Sequence, residues 1–459
     1  MFRKLLIANR GEVAVRVARA CRELGIAPVG VASAADLGAG WLERMDEVVC
    51  LGPAAARSSY LRREAVLQAA LQTRCAAVHP GWGFLAEDPA FASLCQQHGV
   101  TFVGPDAGLM ERMGRKAPAK AAMRAAGVAV IPGSEGVLDS ASEATAGAAE
   151  VGFPVILKAD AGGGGRGMRR VDRAADLERR FAEATAEAEA AFGSGALYLE
   201  KYLEGGRHIE VQLLCDGHGH AIHLGERDCS IQRNHQKLLE ESPSPALDRD
   251  RAAELGASAA RAAGSLGYLG AGTIEFLRSE EGALYFMEMN TRLQVEHPVS
   301  ELVSGVDIVV EQLRVAANEA LAPRTLAARR SGHAIECRIN AEDPDRGFRP
   351  SPGRLTAFDL PTDGGPGTVR VDTHLAAGEQ VSPHYDSLIA KVIAHAPTRA
   401  AAIETMERAL AAARIEGVAT TIPLHRAVLA SEAFRAGEYD TRAIPGFRAT
   451  AGAPAEARG

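Results

Sequence analysis

The chain has 459 residues and a formal charge of −7, from 51 Lys and Arg against 58 Asp and Glu. At roughly 150 residues per domain that length calls for two to four lobes, and it can bury a large core without disulfide or metal staples. Hydrophobic residues at 47% and charged residues at 24% exclude wholesale disorder; the acidic balance argues against a nucleic-acid binder, and no apolar run reaches the roughly 20 residues of a membrane span.

The first hundred residues alternate short apolar runs with helix-length segments. Lys4–Ala8 reads as a core strand, not a signal peptide, because its apolar run ends at once in Asn9-Arg10-Gly11-Glu12. Glu12–Leu24 follows with Val13, Val17, Cys21 and Leu24 at helical spacing, and Gly25 stops it. Pro28–Ala32, Glu47–Leu51, Ala76–His79 and Thr101–Val103 are further strand candidates. Repeated strand–helix units predict a parallel sheet covered on both faces. No G-x-G-x-x-G follows the first strand, so a dinucleotide site has no support.

Gly and Pro punctuate 104–132 around a basic, Ala-rich helix carrying Lys116 and Lys120. A second unit runs from there: strand Val155–Ala159, the glycine run Gly162–Gly165, strand Met168–Val171, helix Ala175–Ala191 and strand Ala196–Lys201. The remainder is strand-rich at Glu210–Leu224 and Gly272–Asn290, with helices near Arg251–Ser265 and Asp307–Asn318. The expected division is an N-terminal lobe 1–112, a linker helix 113–130, a lid 131–203, a C-terminal lobe 204–447 and a frayed tail 448–459. Seven scattered cysteines, never two residues apart, read as reduced thiols of a cytoplasmic protein.

The glycine run lets backbone N–H groups approach phosphate oxygens without Cβ clashes, or it is simply a flexible turn. Neither a Walker loop nor the kinase motifs are present. Thr273–Leu277 and Tyr285–Asn290 look like two strands joined by Ser279-Glu280-Glu281-Gly282. Alternation puts Glu288 and Asn290 on one face, and pairing residue 278 with 283 would put Glu275 there too, opposite 286. Ile274, Phe276, Met287 and Met289 would fill the other face. Acids on a sheet buried on both sides need a partner, and hard oxygens suit Mg²⁺; the alternative is a solvated acidic face. Arg292, Gln294 and Glu296 then form a polar stripe at alternate positions, able to bind a small oxyanion and offer a carboxylate base. Lys158 ends an apolar strand before the glycines, where a cation could meet phosphates. His218, His220 and His223 lack accompanying ligands and read as structural.

The motifs Ile7-Ala8-Asn9-Arg10-Gly11-Glu12, His79-Pro80-Gly81-Trp82-Gly83-Phe84, Lys158 with Gly162–Met168, Glu226-Arg227-Asp228-Cys229-Ser230 leading to His235-Gln236-Lys237, Glu288–Arg292 with Gln294–Pro298, and Glu336–Glu342 resemble biotin carboxylase. That is the ATP-grasp subunit of biotin-dependent carboxylases, and the likeness runs from residue 2 to about 447. The resemblance implies an α/β chain of ATP-grasp fold, with an N-terminal parallel (Rossmann-like) lobe, a mobile lid and a mixed α+β C-terminal lobe. It implies that ATP meets Lys116, Lys158, Met168, Glu200, Lys201, Tyr202, Leu203, His208, Gln232 and His235, with Gly164 and Gly165 closing over its phosphates. Glu275, Glu288 and Asn290 would hold Mg²⁺ or Mn²⁺, the two glutamates also facing ATP. Lys237, Arg292, Gln294 and the Val295 backbone would hold bicarbonate, with Glu296 as base. Arg338, touching only the biotin side, and Trp82 would face biotin.

By the same resemblance the chain works as a cytoplasmic homodimer with a biotin carboxyl carrier protein and carboxyltransferase subunits. Acetyl-CoA carboxylation in fatty acid synthesis is one setting, and the carboxyltransferase chooses the acceptor. Arg19 and Glu23 are the interface candidates. The carrier's Lys between two Met residues is absent, so the carrier is expected as a separate chain. Three departures from the family pattern stand out: Trp82 for Tyr, Asp160-Ala161 for Ser-Gly, which would add a negative charge near the phosphates, and Arg115 for an acid. The competing reading is an ATP-grasp ligase that activates another small carboxylate.

Overall fold

The computed structural model describes residues 1–160, 167–363 and 365–447. Gly164, Gly165 and the expected tail 448–459 therefore lie outside the described residues.

The N-terminal apolar runs form a five-stranded parallel sheet in the order Glu47–Gly52, Ala27–Ser33, Lys4–Ile7, Ala77–His79, Thr101–Phe102. Its central strand is buried on both faces, as a parallel sheet flanked by helices requires. Leu6, Val29, Val31 and Val78 pack to one side; Leu5 and Ile7 pack to the other, with Val13 and Val17 of helix Gly11–Glu23. A three-stranded antiparallel sheet, Met168–Val171, Val155–Ala159 and Leu197–Lys201, sits under helices Ala141–Val151 and Ala174–Phe192 and has its own core around Leu157, Leu177 and Leu199.

The largest element is an eight-stranded antiparallel sheet, in the order Leu284–Asn290, Gly270–Arg278, Arg207–Cys215, Ala221–Arg233, Gln236–Ser242, His333–Asn340, Leu388–Ala396, Thr368–Thr373. Strand Arg207–Cys215 is buried along its whole length, yet its residues alternate. Ile209, Val211 and Leu213 enter the hydrophobic core, while His208, Glu210 and Gln212 point to the opposite face, where each buried polar group needs a partner.

The hairpin register differs from the expected one. Leu277 faces Tyr285 and Phe276 faces Phe286, after which a bulge puts Glu275 directly opposite Glu288 and Thr273 opposite Asn290. The extra residue switches faces within one strand. Phe286 and Met289 both reach the core, and Met287, expected there, instead lines a cleft beside Glu288 and Asn290. Residues 291–296 are no strand either: they form a turn leading into helix His297–Ser304.

Two departures from the family pattern compensate each other. Arg115 bridges Asp160 at 3.1 Å, and Asp160 Oδ1 accepts the Ala117 N–H at 2.9 Å, at the start of helix Lys116–Ala125. The carboxylate is 2% exposed and caps that helix, so it adds no charge to the cleft.

Candidate active site

A cleft of about 800 Å³ opens between the three-stranded and eight-stranded sheets. Lys116, Lys158, Met168, Lys201, Tyr202 and Leu203 line one end; His208, Gln232 and His235 flank it. Asn234 and His235 both have positive φ, 48° and 62°, in the two-residue turn that joins Arg233 to its partner Gln236. That turn delivers His235 and Lys237 to the cleft wall. Glu200 stands behind the wall, 3% exposed, where it holds Lys158 at 2.6 Å and Lys120 at 2.8 Å. Burial would raise its pKa, but the two lysines outweigh burial and hold it below the ordinary glutamate value.

At the centre stands Lys237. Its ammonium donates to Glu210 at 2.6 Å, Glu275 at 2.9 Å, Gln294 at 3.1 Å and Glu296 at 2.6 Å. Burial alone would lower its pKa, but the three carboxylates reverse that and hold it well above the usual lysine range. Burial would likewise raise Glu296 and Glu275, and their cation partners, Lys237 first, hold both well below the carboxylate range. Glu275 Oε1 also accepts from Asn290 at 2.9 Å and Gln294 at 3.0 Å, and its Oε2 lies 3.0 Å from His208 Nε2. Glu288 pairs with Lys116 at 2.7 Å, an ion pair that joins the hairpin to the helix 116–125.

Arg338 is not confined to one side of the site. It donates to Glu240 at 2.6 Å and to Glu296 at 2.9 Å, so it touches the same carboxylate as Lys237. Arg292 bridges Glu87 at 2.7 Å and Asn290 at 3.0 Å, and Val295 also lines the cleft. Trp82 also lines the cleft and donates its indole N–H to Glu12 at 3.0 Å.

Four partners were given no role by the sequence reading, Arg227 among them although its motif is one of those that carry the resemblance. Glu87 and Glu240 carry no local pattern that marks them. Glu210 and Arg227 do: Arg227 is fully buried and binds Glu210 at 2.5 Å, Gln212 at 2.6 Å and Ser300 at 2.9 Å. The alternation His208, Glu210, Gln212 along an otherwise apolar strand was the available signal. Of the cluster His218, His220, His223, His220 lies on Asp216 at 2.8 Å and His218 on the Asn318 carbonyl at 3.0 Å.

The family model of the biotin carboxylase N-terminal domain matches residues 1–110, that of the carbamoyl-phosphate synthase L chain ATP-binding domain 115–324, and that of the biotin carboxylase C-terminal domain 336–446. A biotin carboxylase of a Nostoc species is 50% identical over 440 residues, which cover 96% of this chain and 98% of that one. The chain belongs to the biotin carboxylase family. Biotin carboxylase 1 of Bacillus subtilis is likewise 50% identical, with the same coverage of both chains. Among solved structures, a biotin carboxylase–β,γ-ATP complex from Campylobacter jejuni is similar with a TM-score of 0.92 at 45% identity, covering 96% of this chain and 98% of that one. The biotin carboxylase domain dimer of Hydrogenobacter thermophilus 2-oxoglutarate carboxylase, in complex with MgADP, ADP and bicarbonate, is similar with a TM-score of 0.90 at 48% identity, covering 96% and 97%. The expected fold class is thereby borne out for this biotin carboxylase family member: an ATP-grasp α/β chain with a parallel N-terminal sheet. Among the described residues no helix is long and apolar enough to cross a membrane.

Proposed function

We propose that this chain carboxylates biotin on a carrier protein, using ATP and bicarbonate through carboxyphosphate. The observation that carries the reading is the Lys237 ammonium, shared by Glu210, Glu275, Gln294 and Glu296 next to Arg292 and Arg338. Lys237 and Arg338 on the buried Glu296 carboxylate, with Arg292 on the same cleft wall, form a pocket for a small oxyanion beside a base.

Lys116, Lys158, Met168, Lys201–Leu203, His208, Gln232 and His235 hold the nucleotide, and Glu200 fixes Lys158 from behind the wall. Glu275, Glu288 and Asn290 fit Mg²⁺ or Mn²⁺, because they offer hard oxygens on two directly paired strands. When bound, such a cation neutralises charge on the phosphates.

Bicarbonate lies against Lys237, Arg292, Gln294 and the Val295 backbone. Glu296, kept ionised by Lys237 and Arg338, takes the bicarbonate proton. The freed oxygen attacks the γ-phosphorus, and the β,γ-bridging P–O bond breaks to release ADP. Lys116 and Lys158 meet the charge moved onto the leaving oxygens. The lid over the cleft shields carboxyphosphate from water. Its C–O bond to phosphorus breaks, giving CO₂ and phosphate; the phosphate takes the biotin N1′ proton, and N1′ forms the new bond to CO₂. Arg338 stabilises the ureido enolate on that path, with Trp82 on the wall beside it.

The lobes we assign to these tasks are 1–112, 113–130, 131–203 and 204–447. The partners are a biotin carboxyl carrier and a carboxyltransferase, and a second copy docks across Arg19 and Glu23, which lie one turn apart on helix Gly11–Glu23 with Arg19 half exposed. Phosphate release with Mg²⁺, with and without bicarbonate and free biotin, tests the reading. Cleavage that needs bicarbonate and rises with biotin is expected. Full cleavage in bicarbonate-free buffer, or turnover with a different carboxylate in its place, would refute it in favour of another ATP-grasp ligase.

A further inference from the structure

The 291–296 turn has no strand ladder; the Gln294 and Glu296 carbonyls accept from the His297 and Val299 N–H groups at 3.3 Å each, and among the described residues the other bonds to its backbone come from side chains. The Leu293 carbonyl takes a bond from Arg292 at 3.2 Å, and the Gln294 carbonyl lies 2.8 Å from His297 Nδ1. Both are contacts within the segment. The Val295 carbonyl instead accepts from Lys391 at 3.0 Å, a residue 96 positions away on strand Leu388–Ala396. Lys391 is fully buried, lies 3.1 Å from Glu12 and 3.9 Å from Asp372, and sits opposite Arg338 in the strand register. Glu12 is itself fixed: its other oxygen accepts the Trp82 indole N–H. Burial would lower the Lys391 pKa, but Glu12, Glu336 and Asp372 outweigh burial, so the group stays an ammonium.

We infer that Lys391, anchored by Glu12, is the positioning residue of the anion-binding turn: by holding the Val295 carbonyl it orients the 295–296 peptide, and with it the Glu296 that follows and, through the Val295 Cα, the neighbouring peptide that carries the Val295 N–H. The inference rests on the reading of 292–296 as the bicarbonate site. Glu12, Val295 and Lys391 come one each from the three segments matched by the family models, so the contact ties all three at the atoms that must be placed most tightly. Lys391 touches no reactant. It acts through the turn, and a displacement of about 1 Å at such a site is enough to cost on the order of 10²-fold in rate.

A buried ion pair can be replaced by neutral groups at small cost in stability, whereas removing one partner strands the other. The test variant is therefore the double replacement Glu12→Gln with Lys391→Met, compared with Glu12→Gln alone, which keeps the ammonium on Val295. In the double variant KM for bicarbonate should rise roughly tenfold or more, with KM for ATP within about twofold and the melting temperature within a few degrees. Glu12→Gln alone should stay within about threefold of the parent for bicarbonate. Lys391→Arg is the second variant: it keeps a cation beside Glu12 and Asp372 but moves the donor, and its bicarbonate KM should rise as well. An unchanged bicarbonate KM in the double variant or in Lys391→Arg, or a parallel rise for ATP, overturns the inference. Bicarbonate-independent ATP cleavage by the parent protein would instead overturn the functional reading beneath it.

Discussion

Lys237 neutralises Glu296, the proposed base, and Glu275, the proposed metal ligand, at once, so its loss reaches further than one contact. Lys237→Gln should lower both basal ATP cleavage and carboxybiotin formation, by roughly 10²–10³. It should also move the acid limb of the residual activity. Glu296 is held well below its ordinary value with Lys237 as the foremost of its cation partners; without it the carboxyl titrates at higher pH, and activity is lost earlier as pH falls. A pH–rate profile whose acid limb did not rise would contradict this. Arg338→Ala should cripple carboxybiotin formation more than basal phosphate release. Because Arg338 also binds Glu296, it too should raise the acid limb; a strictly biotin-side residue would leave that limb alone. Glu288, a proposed metal ligand, also binds Lys116. Its side chain is 40% exposed, so Glu288→Gln should cost no more than about 1 kcal/mol of stability while abolishing Mg²⁺-dependent turnover. A melting temperature lowered by many degrees would make Glu288 structural.

Between elements, one dense tie away from the cleft is Glu241. The carboxylate accepts from His333 at 2.6 Å, from Arg399 at 2.7 and 2.9 Å, and from Tyr439 at 2.5 Å, joining two strands, a helix start and the loop near 439. Burial opposes its charge, but His333 and Arg399 hold the pKa at about 2 against an ordinary 4.5. A depressed carboxyl stabilises the fold above its unfolded value and loses that contribution as pH falls through the folded one. The difference is about 3 kcal/mol, present above roughly pH 4.5 and lost toward pH 2. Glu241→Gln should therefore lower stability by about that amount at pH 7 and flatten the acid-side fall of the urea midpoint. A midpoint unchanged at neutral pH would rule this out. The Asp160 cap is a second such tie, and Asp160→Ala should cost about 1 kcal/mol by denaturant titration. The hairpin bulge shows why element-level reading stopped where it did. Strand identity follows from residue pattern, but register depends on where an extra residue is taken up, and the packing of Phe286 against the core decides that.

For the molecule as a whole, all seven cysteines are unpaired and only Cys50 is exposed. A thiol reagent should modify one group in the native protein and seven after unfolding; more than one fast native equivalent would contradict the buried placement. Burial pushes Cys21, Cys95 and Cys215 up to about 12, which keeps them unreactive as well as inaccessible. By itself the sequence determined the strand–helix alternation of the first lobe, the parallel first sheet, the family and, through the resemblance, many of the residues that line the cleft. Those follow from periodicity and from motifs whose members are close in the chain, such as His235 with Lys237 or Glu288 with Asn290, Arg292, Gln294 and Glu296. Only the tertiary structure decided which charges meet. Glu87 reaches Arg292 across 205 positions, Glu240 reaches Arg338 across 98, and Lys391 reaches Val295 across 96. It also turned Arg115 and Asp160 from two separate departures into one ion pair. Buried charges need counter-charges wherever the fold brings one near, and the sequence separation of the two does not enter that energy.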